Sequence, residues 1–365
     1  DHLPNTKNAK CLLNLFKDAY LKHQNLSQAS IYLYNKLFSD QGLVILEPNH
    51  PDLKATFKKY IQTEIFSQPT FKEVLKTSNN LSDKGYHDQV TPREINFFYK
   101  TDNLRNRLIF KDDKYFVNES NIVFTQAELK KEIDNHPERF SPNALLRPLY
   151  QEVLLPNLSY VGGAGELAYW LQLQSTFRAF DVTFPMLQMR NSVLLSSEKT
   201  LKKLNKLQVE LKDLFQSPLA LKNQHVKRIS KIKIDFSSQK QHLSQQFKDL
   251  YKLAEKTDKS FLNAVAAQEQ KQHNGLDKLE KRLLKAQRRK LADETERLSK
   301  LQDKLFPQQN LQERYVNFSE LYLSYGDNFL EYLIQNLDPF SYKFSLLALE
   351  SQPKSLNQKY ASSCV

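Results

Sequence analysis

Between Val193 and Phe306 the chain contains one glycine, Gly275, and one proline, Pro218. Tight turns draw on both residue types, so a stretch this poor in them, and rich in Lys, Gln, Leu and Glu, is restricted to long helices. Leu276, Leu279, Leu283, Ala286 and Lys290 follow 3-4 spacing, as do Leu298, Leu301 and Leu305. Leu243, Phe247, Leu250 and Ala254 repeat it upstream. This is the apolar seam of a coiled coil. Thr257-Asp258 caps the join between two helices and predicts an antiparallel hairpin. Helices of about 45–50 residues would project roughly 70 Å. Pro307 ends the last of them.

Charge follows the same division. Residues 191–306 hold 26 of the 53 Lys+Arg and 14 of the 41 Asp+Glu, so the net charge of +12 resides there and the remainder balances at 27 against 27. Such a segment is either the solvated face of long helices or a surface for nucleic acid or membrane. The solvated face is the preferred reading, because residues 271–304 hold no Phe, Tyr or Trp on which bases could stack. A coiled-coil adaptor or nucleic-acid binder is the alternative function. No apolar run approaches a membrane span, and residues 1–20 lack an apolar signal core. Cys11 and Cys364 fit neither a metal spacing nor a disulfide framework, which points to a reducing cytoplasm. Eight scattered histidines suggest no metal site, and no Ser-His-Asp or Cys-His set can be assembled.

Upstream, residues 5–38 predict two helices, the second capped by Ser27. Gly42–Leu46 predicts a buried strand feeding the amphipathic helix of Leu53, Phe57, Tyr60, Ile61 and Ile65, one unit of a parallel sheet. Residues 90–124 predict a small antiparallel meander with a tight turn at Asp112-Asp113-Lys114. Thr125 and Glu128 form a capping box. The chain is thus expected to divide into 1–90, 91–192, 193–306 and 307–365. The last of these is aromatic enough to pack onto a core.

Asn143–Ser192 carries the chemistry. Three of seven glycines (Gly162, Gly163, Gly165), the only tryptophan (Trp170) and both methionines fall within it. Gly163 to Ala168 satisfies a dinucleotide fingerprint, and an oxidoreductase would rest on that alone. Against it, Asp181 comes early, and Glu166 already occupies the first helical turn, where a phosphate would sit. A carboxylate beside backbone N–H groups suits an amine or a zwitterion. Arg147 and Arg190 sit among apolar neighbours and would each grip a carboxylate or phosphate, or pair with Glu152 or Glu166. Arg93 and Asn96 open the meander. Asn143, Gln151, Tyr169, Trp170, Gln172 and Asn191 offer hydrogen bonds and a stacking surface, with a plain core as the competing reading for the aromatics.

HPERFSPNALLRPLYQEVLLPNLSYVGGAGELAYWLQL followed by FPMLQMRNS resembles the BshC family, the cysteine ligases of bacillithiol biosynthesis. PREINFFY and LFPQQNLQERYVNF fit the same pattern, and the likeness runs from about Asp40 onward. Ala164 stands where many relatives have proline. The resemblance implies an α/β protein, mainly α by content, with a partial Rossmann-like core, an inserted antiparallel β segment and a long antiparallel coiled coil that makes a homodimer. It implies L-cysteine and glucosaminyl-malate as substrates, an amide as product, and ATP/ADP at a nucleotide site. It also implies that a first Rossmann half, with a Gly-His-Gln type motif, precedes the residues present here. On the matching positions, Glu166, Arg147 and Arg190 are the expected catalytic residues. Arg93, Asn96, Asn143, Gln151, Gly162, Gly163, Gly165, Tyr169, Trp170 and Asn191 are the expected substrate contacts. Gln312, Glu313 and Arg314 would frame the nucleotide.

Overall fold

The computed structural model describes residues 3–257 and 259–349. Asp258, Cys364 and the tail beyond Leu349 lie outside them. The chain forms two units that part between Asn191 and Ser192; Leu337–Lys343 belongs with the first and residues 344–349 with the second.

The first unit opens on a helical hairpin, α1 (Lys7–Leu21) and α2 (Leu26–Phe38), joined by Leu15, Ala19 and Leu33. The cap of α2 is Asn25, whose side chain accepts from the Gln28 N–H, and not Ser27. The predicted strand at Gly42–Leu46 does not form. A strand exists only where its N–H and C=O groups meet a neighbour's, and among the described residues none lies beside it; Leu43, Val44 and Leu46 stay exposed. Helices α3 (Pro51–Thr56), α4 (Lys58–Ser67) and α5 (Pro69–Asp83) follow.

The meander is present as β1 (Phe97–Thr101), β2 (Leu104–Lys111), β3 (Lys114–Val117) and β4 (Val123–Phe124). Asp112 and Asp113 both take positive φ, 50° and 55°, as a two-residue hairpin turn requires. After α6 (Gln126–Asn135), with its Thr125–Glu128 capping box, β5 (Phe140–Pro142) adds to the other edge of β1, giving the order β4-β3-β2-β1-β5. Next come α7 (Arg147–Leu154), β6 (Ser159–Gly162), α8 (Ala164–Trp170), α9 (Gln174–Ala179) and β7 (Met186–Met189). β6 and β7 pair in parallel, Gly162 opposite Met189. The βαβ unit of the Rossmann-like core is therefore here, at 159–189, and not at 42–66. One core, including Phe57, Ile61, Phe97, Leu129, Leu149 and Trp170, holds the helices, meander and βαβ unit together.

The second unit begins with a strand where a helix was expected: β8 (Ser192–Ser197), parallel to β9 (Phe344–Leu349). Its β-branched and Leu content matched either state, and only the distant partner decides it. Helices α10 (Glu198–Lys206), α11 (Pro218–Ile229), α12 (Ser237–Ala254), α13 (Lys259–Lys290) and α14 (Ala292–Leu305) follow. α12 and α13 form the predicted antiparallel hairpin: Tyr251 bonds Glu269, Ser244 bonds His273 and Lys240 bonds Glu280, one number falling as the other rises. Phe247, Ala254 and Val265 are buried in its seam, whereas Leu250 and Leu279 are exposed. The arm is shorter than expected, since the helix breaks at Leu291; 32 residues of α13 reach about 48 Å. Leu298, Leu301 and Leu305 of α14 are buried, with Leu204 and Leu221 in the same cluster. Short α15 (Gln312–Tyr315), α16 (Phe318–Tyr325) and α17 (Asn328–Asn336) complete the unit. Phe329 packs with Leu195 and Leu349, so the aromatic tail builds a core with β8 and β9. Among the described residues no helix is long and apolar enough to cross a membrane.

Candidate active site at the carboxyl ends of two parallel strands

β6 and β7 run the same way, so their carboxyl ends share one edge, where ligands of open α/β sheets bind. The Gly162–Gly163 turn leaves β6 there. At the same edge Arg190, directly after β7, donates its backbone N–H to the Gly162 carbonyl at 2.9 Å. Sequence placed Arg190 some 27 positions from the turn; the parallel ladder places them side by side.

Gly162 is required by packing. A Cβ there would stand 2.6 Å from the Tyr160 ring and 3.1 Å from Leu167. Tyr160 could move aside only by giving up its stack on buried Trp170, 3.9 Å between centroids. Gly162→Ala is expected to cost about 2 kcal/mol through this overpacking. Gly165 faces open space, so Gly165→Ala should be neutral or stabilising by up to about 1 kcal/mol. Urea melts followed by the fluorescence of Trp170, the only tryptophan, check both.

Glu166 closes the turn. Its Oε2 accepts the Gly163 N–H at 2.8 Å, reaching back from the third helical position. Its Oε1 carries no hydrogen bond among the described residues and can face a ligand. Tyr169, one turn further along α8, accepts from the Arg147 guanidinium at 3.4 Å. Arg147 heads α7, is exposed, and makes no ion pair among the described residues with Glu152 or Glu166. Tyr160 links the group: burial raises its hydroxyl pKa, the charges of Glu166 and Tyr169 raise it further, and Arg147 lowers it. Arg147, Tyr160, Glu166 and Tyr169 thus lie within electrostatic reach of one another beside the turn.

Other expected contacts are structural in position. Trp170 is 1% exposed and belongs to the core, not to a stacking surface. Asn96 is also 1% exposed, and its four hydrogen-bonding positions are filled. Its Nδ2 donates to Glu64 at 2.9 Å and to the Arg93 carbonyl at 2.8 Å, while its Oδ1 accepts from Arg93 N–H and Asn143 Nδ2. Asn143 in turn accepts from the Leu145 and Leu146 N–H groups, fixing the approach to Arg147. Both asparagines therefore brace the backbone that leads into Arg147. The exposed Arg93 contributes its backbone to this network. Gln172 is buried and bridges Ser78 and Val90. Gln151 donates to Glu152, and Asn191 donates to the Asp338 carbonyl of the Leu337–Lys343 segment.

In the second unit Gln312 mimics a strand neighbour: it donates to the Leu195 carbonyl at 3.0 Å and accepts the Leu195 N–H at 2.9 Å. Glu313 accepts from Ser192 Oγ and the Val193 N–H. These two side chains clamp β8, and Arg314 beside them is exposed. Sequence reasoning passed over Glu64 and Lys54, which are 0% and 2% exposed. Each sits on an otherwise apolar helical face, next to Ile61, Ile65 and Phe57, and that misfit is the signal that could have found them. Among the described residues no cluster of His, Cys, Asp and Glu could hold a metal.

Residues 1–191 match the family model "Bacillithiol biosynthesis BshC, N-terminal Rossmann-like domain", and residues 193–349 match "Bacillithiol biosynthesis BshC, C-terminal coiled-coil domain". The chain belongs to the BshC family. The join between the two matches falls where the structure divides. Similar proteins named "Putative cysteine ligase BshC" come from Flavobacterium johnsoniae, 50% identical over 95% of this chain, and Christiangramia forsetii, 49% identical over 93%. A further one, from Flavobacterium psychrophilum, is 50% identical over 77% of the chain. The chain spans 65%, 63% and 53% of these relatives' own lengths.

Proposed function

We propose that this BshC chain supplies part of a cysteine ligase active site, which joins the carboxylate of L-cysteine to the amine of glucosaminyl-malate as an amide. The observation that carries this reading is the grouping of Gly162, Glu166, Tyr169, Arg147 and the Arg190 backbone at one strand edge. Amide formation needs the amine unprotonated and the carboxylate activated. Glu166 Oε1 takes the ammonium proton, while Oε2 stays on Gly163 N–H and holds the carboxylate in place. The Arg147 guanidinium, steadied by Tyr169, offsets charge on the activated carboxylate. The malate or a departing phosphate is assigned to Arg190, on the strength of its place beside the Gly162 turn. ATP is the proposed activator; because Gln312 and Glu313 are engaged by β8, no residue is assigned to it. The coiled coil is the proposed dimer contact.

The chain and its Flavobacterium johnsoniae relative are each incubated with L-cysteine and glucosaminyl-malate, with and without ATP, and products are read by mass spectrometry. Bacillithiol should form only with ATP. No bacillithiol from the relative would sink the ligase reading. Glu166→Gln in the active protein keeps the oxygen that caps Gly163, so stability should hold while turnover falls about 10- to 100-fold. Arg147→Ala should lower turnover by a similar factor. Full activity in Glu166→Gln removes the base assignment.

A further inference from the structure

In the second unit, a cavity of about 570 Å³ opens between α10 and α14. Its lining takes Lys203 and Lys206 from α10 and Arg297, Lys300 and Lys304 from α14. The only other lining residues are Leu207 and Leu301. The spacings explain the convergence. Lys203 and Lys206 are three apart; Arg297, Lys300 and Lys304 are three and four apart. Each set therefore shares one helix face. Like charges so placed oppose helix formation.

Local compensation is partial. Arg297 pairs with Glu294 at 3.2 Å and Lys300 with Glu296 at 3.7 Å, both on α14 itself and neither in the lining. Lys304 reaches the Thr200 hydroxyl at 3.4 Å. No ion pair engages Lys203 or Lys206 among the described residues, and no carboxylate lines the cavity. A solvated basic face accounts for lysines pointing outward from a helix. Here all five cations are exposed, Arg297 and Lys300 at 69% and 76% of their side chains, and the two helices set them round one concavity.

The cavity lies within the usual range for small ligands, roughly 300–1,000 Å³, and is far too small for a nucleic-acid duplex. Its lining contains no aromatic ring and no neutral hydrogen-bonding side chain, the groups that read a base or a sugar. What it offers is five positive charges. We propose that the α10–α14 cavity binds a short inorganic polyphosphate chain, with no base attached. This stands independently of the ligase reading.

Calorimetric titration of the whole chain at matched ionic strength tests it, with tripolyphosphate, pyrophosphate and orthophosphate in turn. Binding should be one to one and tighten at least about fivefold with each added phosphate. Lys206→Gln with Lys300→Gln should weaken tripolyphosphate at least about tenfold, with helical circular dichroism unchanged. Lys278→Gln with Lys285→Gln, on the coiled coil, should leave binding as it was. Equal affinity for the three phosphates overturns the proposal, and so does equal loss in both double variants, which would mean diffuse charge. ADP binding more than about tenfold tighter than pyrophosphate overturns the bare-phosphate assignment, and preference for a DNA duplex does the same.

Discussion

Asn96→Ala is expected to destabilise the first unit by about 3–5 kcal/mol, although the side chain removed is small and touches no proposed ligand. The cost comes from what is left behind. Glu64 is wholly buried and accepts from Asn96 Nδ2 at 2.9 Å and from the Thr70 N–H at 3.3 Å. Burial raises its carboxyl pKa, and the bonds from Thr70 and Asn96 pull it back. Without Asn96 the carboxyl keeps one donor, and the Arg93 peptide and Asn143 Nδ2 each lose a partner. Asn96→Asp should be worse above the carboxylate range, because it sets a second carboxylate against Glu64. Two such groups share a proton, so their raised pKa makes stability fall as pH rises through that titration. Urea melts read by Trp170 fluorescence decide it. A loss under about 1 kcal/mol in Asn96→Ala would mean that water replaces the lost bonds and that the network does not hold the site.

Much of this architecture could be read from local pattern. Asp112-Asp113 lies between two β-rich runs, Thr125 precedes Glu128 by three, and the Leu243–Ala254 seam repeats within single helices. Each of these signals is decided within a few residues, where sequence and geometry are tightly coupled. What could not be read depends on distant partners. β7 is a strand because β6 lies beside it, β9 because β8 does. Gly42–Leu46 has the composition of a strand and no neighbour to pair with among the described residues. The site divides in the same way. Glycine spacing and the first-turn carboxylate singled out Gly162 and Glu166, where the structure has the end of β6 and the side chain that caps α8. Composition alone could not tell that Asn96 is saturated by four hydrogen bonds, or that Gln312 stands in for a strand. Those facts depend on where a side chain's hydrogen bonds go, and residue type is silent on that.

The first unit should gain stability as pH rises from about 7.5 to 9.5, by about 2 kcal/mol from Lys54 alone. Lys54 is 2% exposed, donates to the Phe140 carbonyl at 3.3 Å and lies 4.3 Å over the Tyr150 ring. Burial, reinforced by Lys100 and Arg105, lowers its pKa from 10.5 to about 8. Below pH 8 the amine is charged in folded and unfolded states alike, and the full cost of burying it, about 3 kcal/mol, weighs on the fold. Between pH 8 and 10.5 the folded state has shed a proton that the unfolded chain still holds, so stability rises with pH. Tyr150 sets the upper limit. Its hydroxyl is pushed up to about 12 by burial, so above pH 10 the unfolded chain alone loses that proton and stability declines. Lys54→Met fills a similar volume without the charge. It should match or exceed the parent's stability at pH 7 and lack the rise between 7.5 and 9.5, surface lysines being common to both proteins. The comparison is read from Trp170 fluorescence in urea at each pH. A parent and variant with parallel pH profiles would show that Lys54 keeps its charge, solvated, to ordinary lysine pH. The Phe140 carbonyl and Tyr150 ring would then hold an ammonium at no cost to the fold.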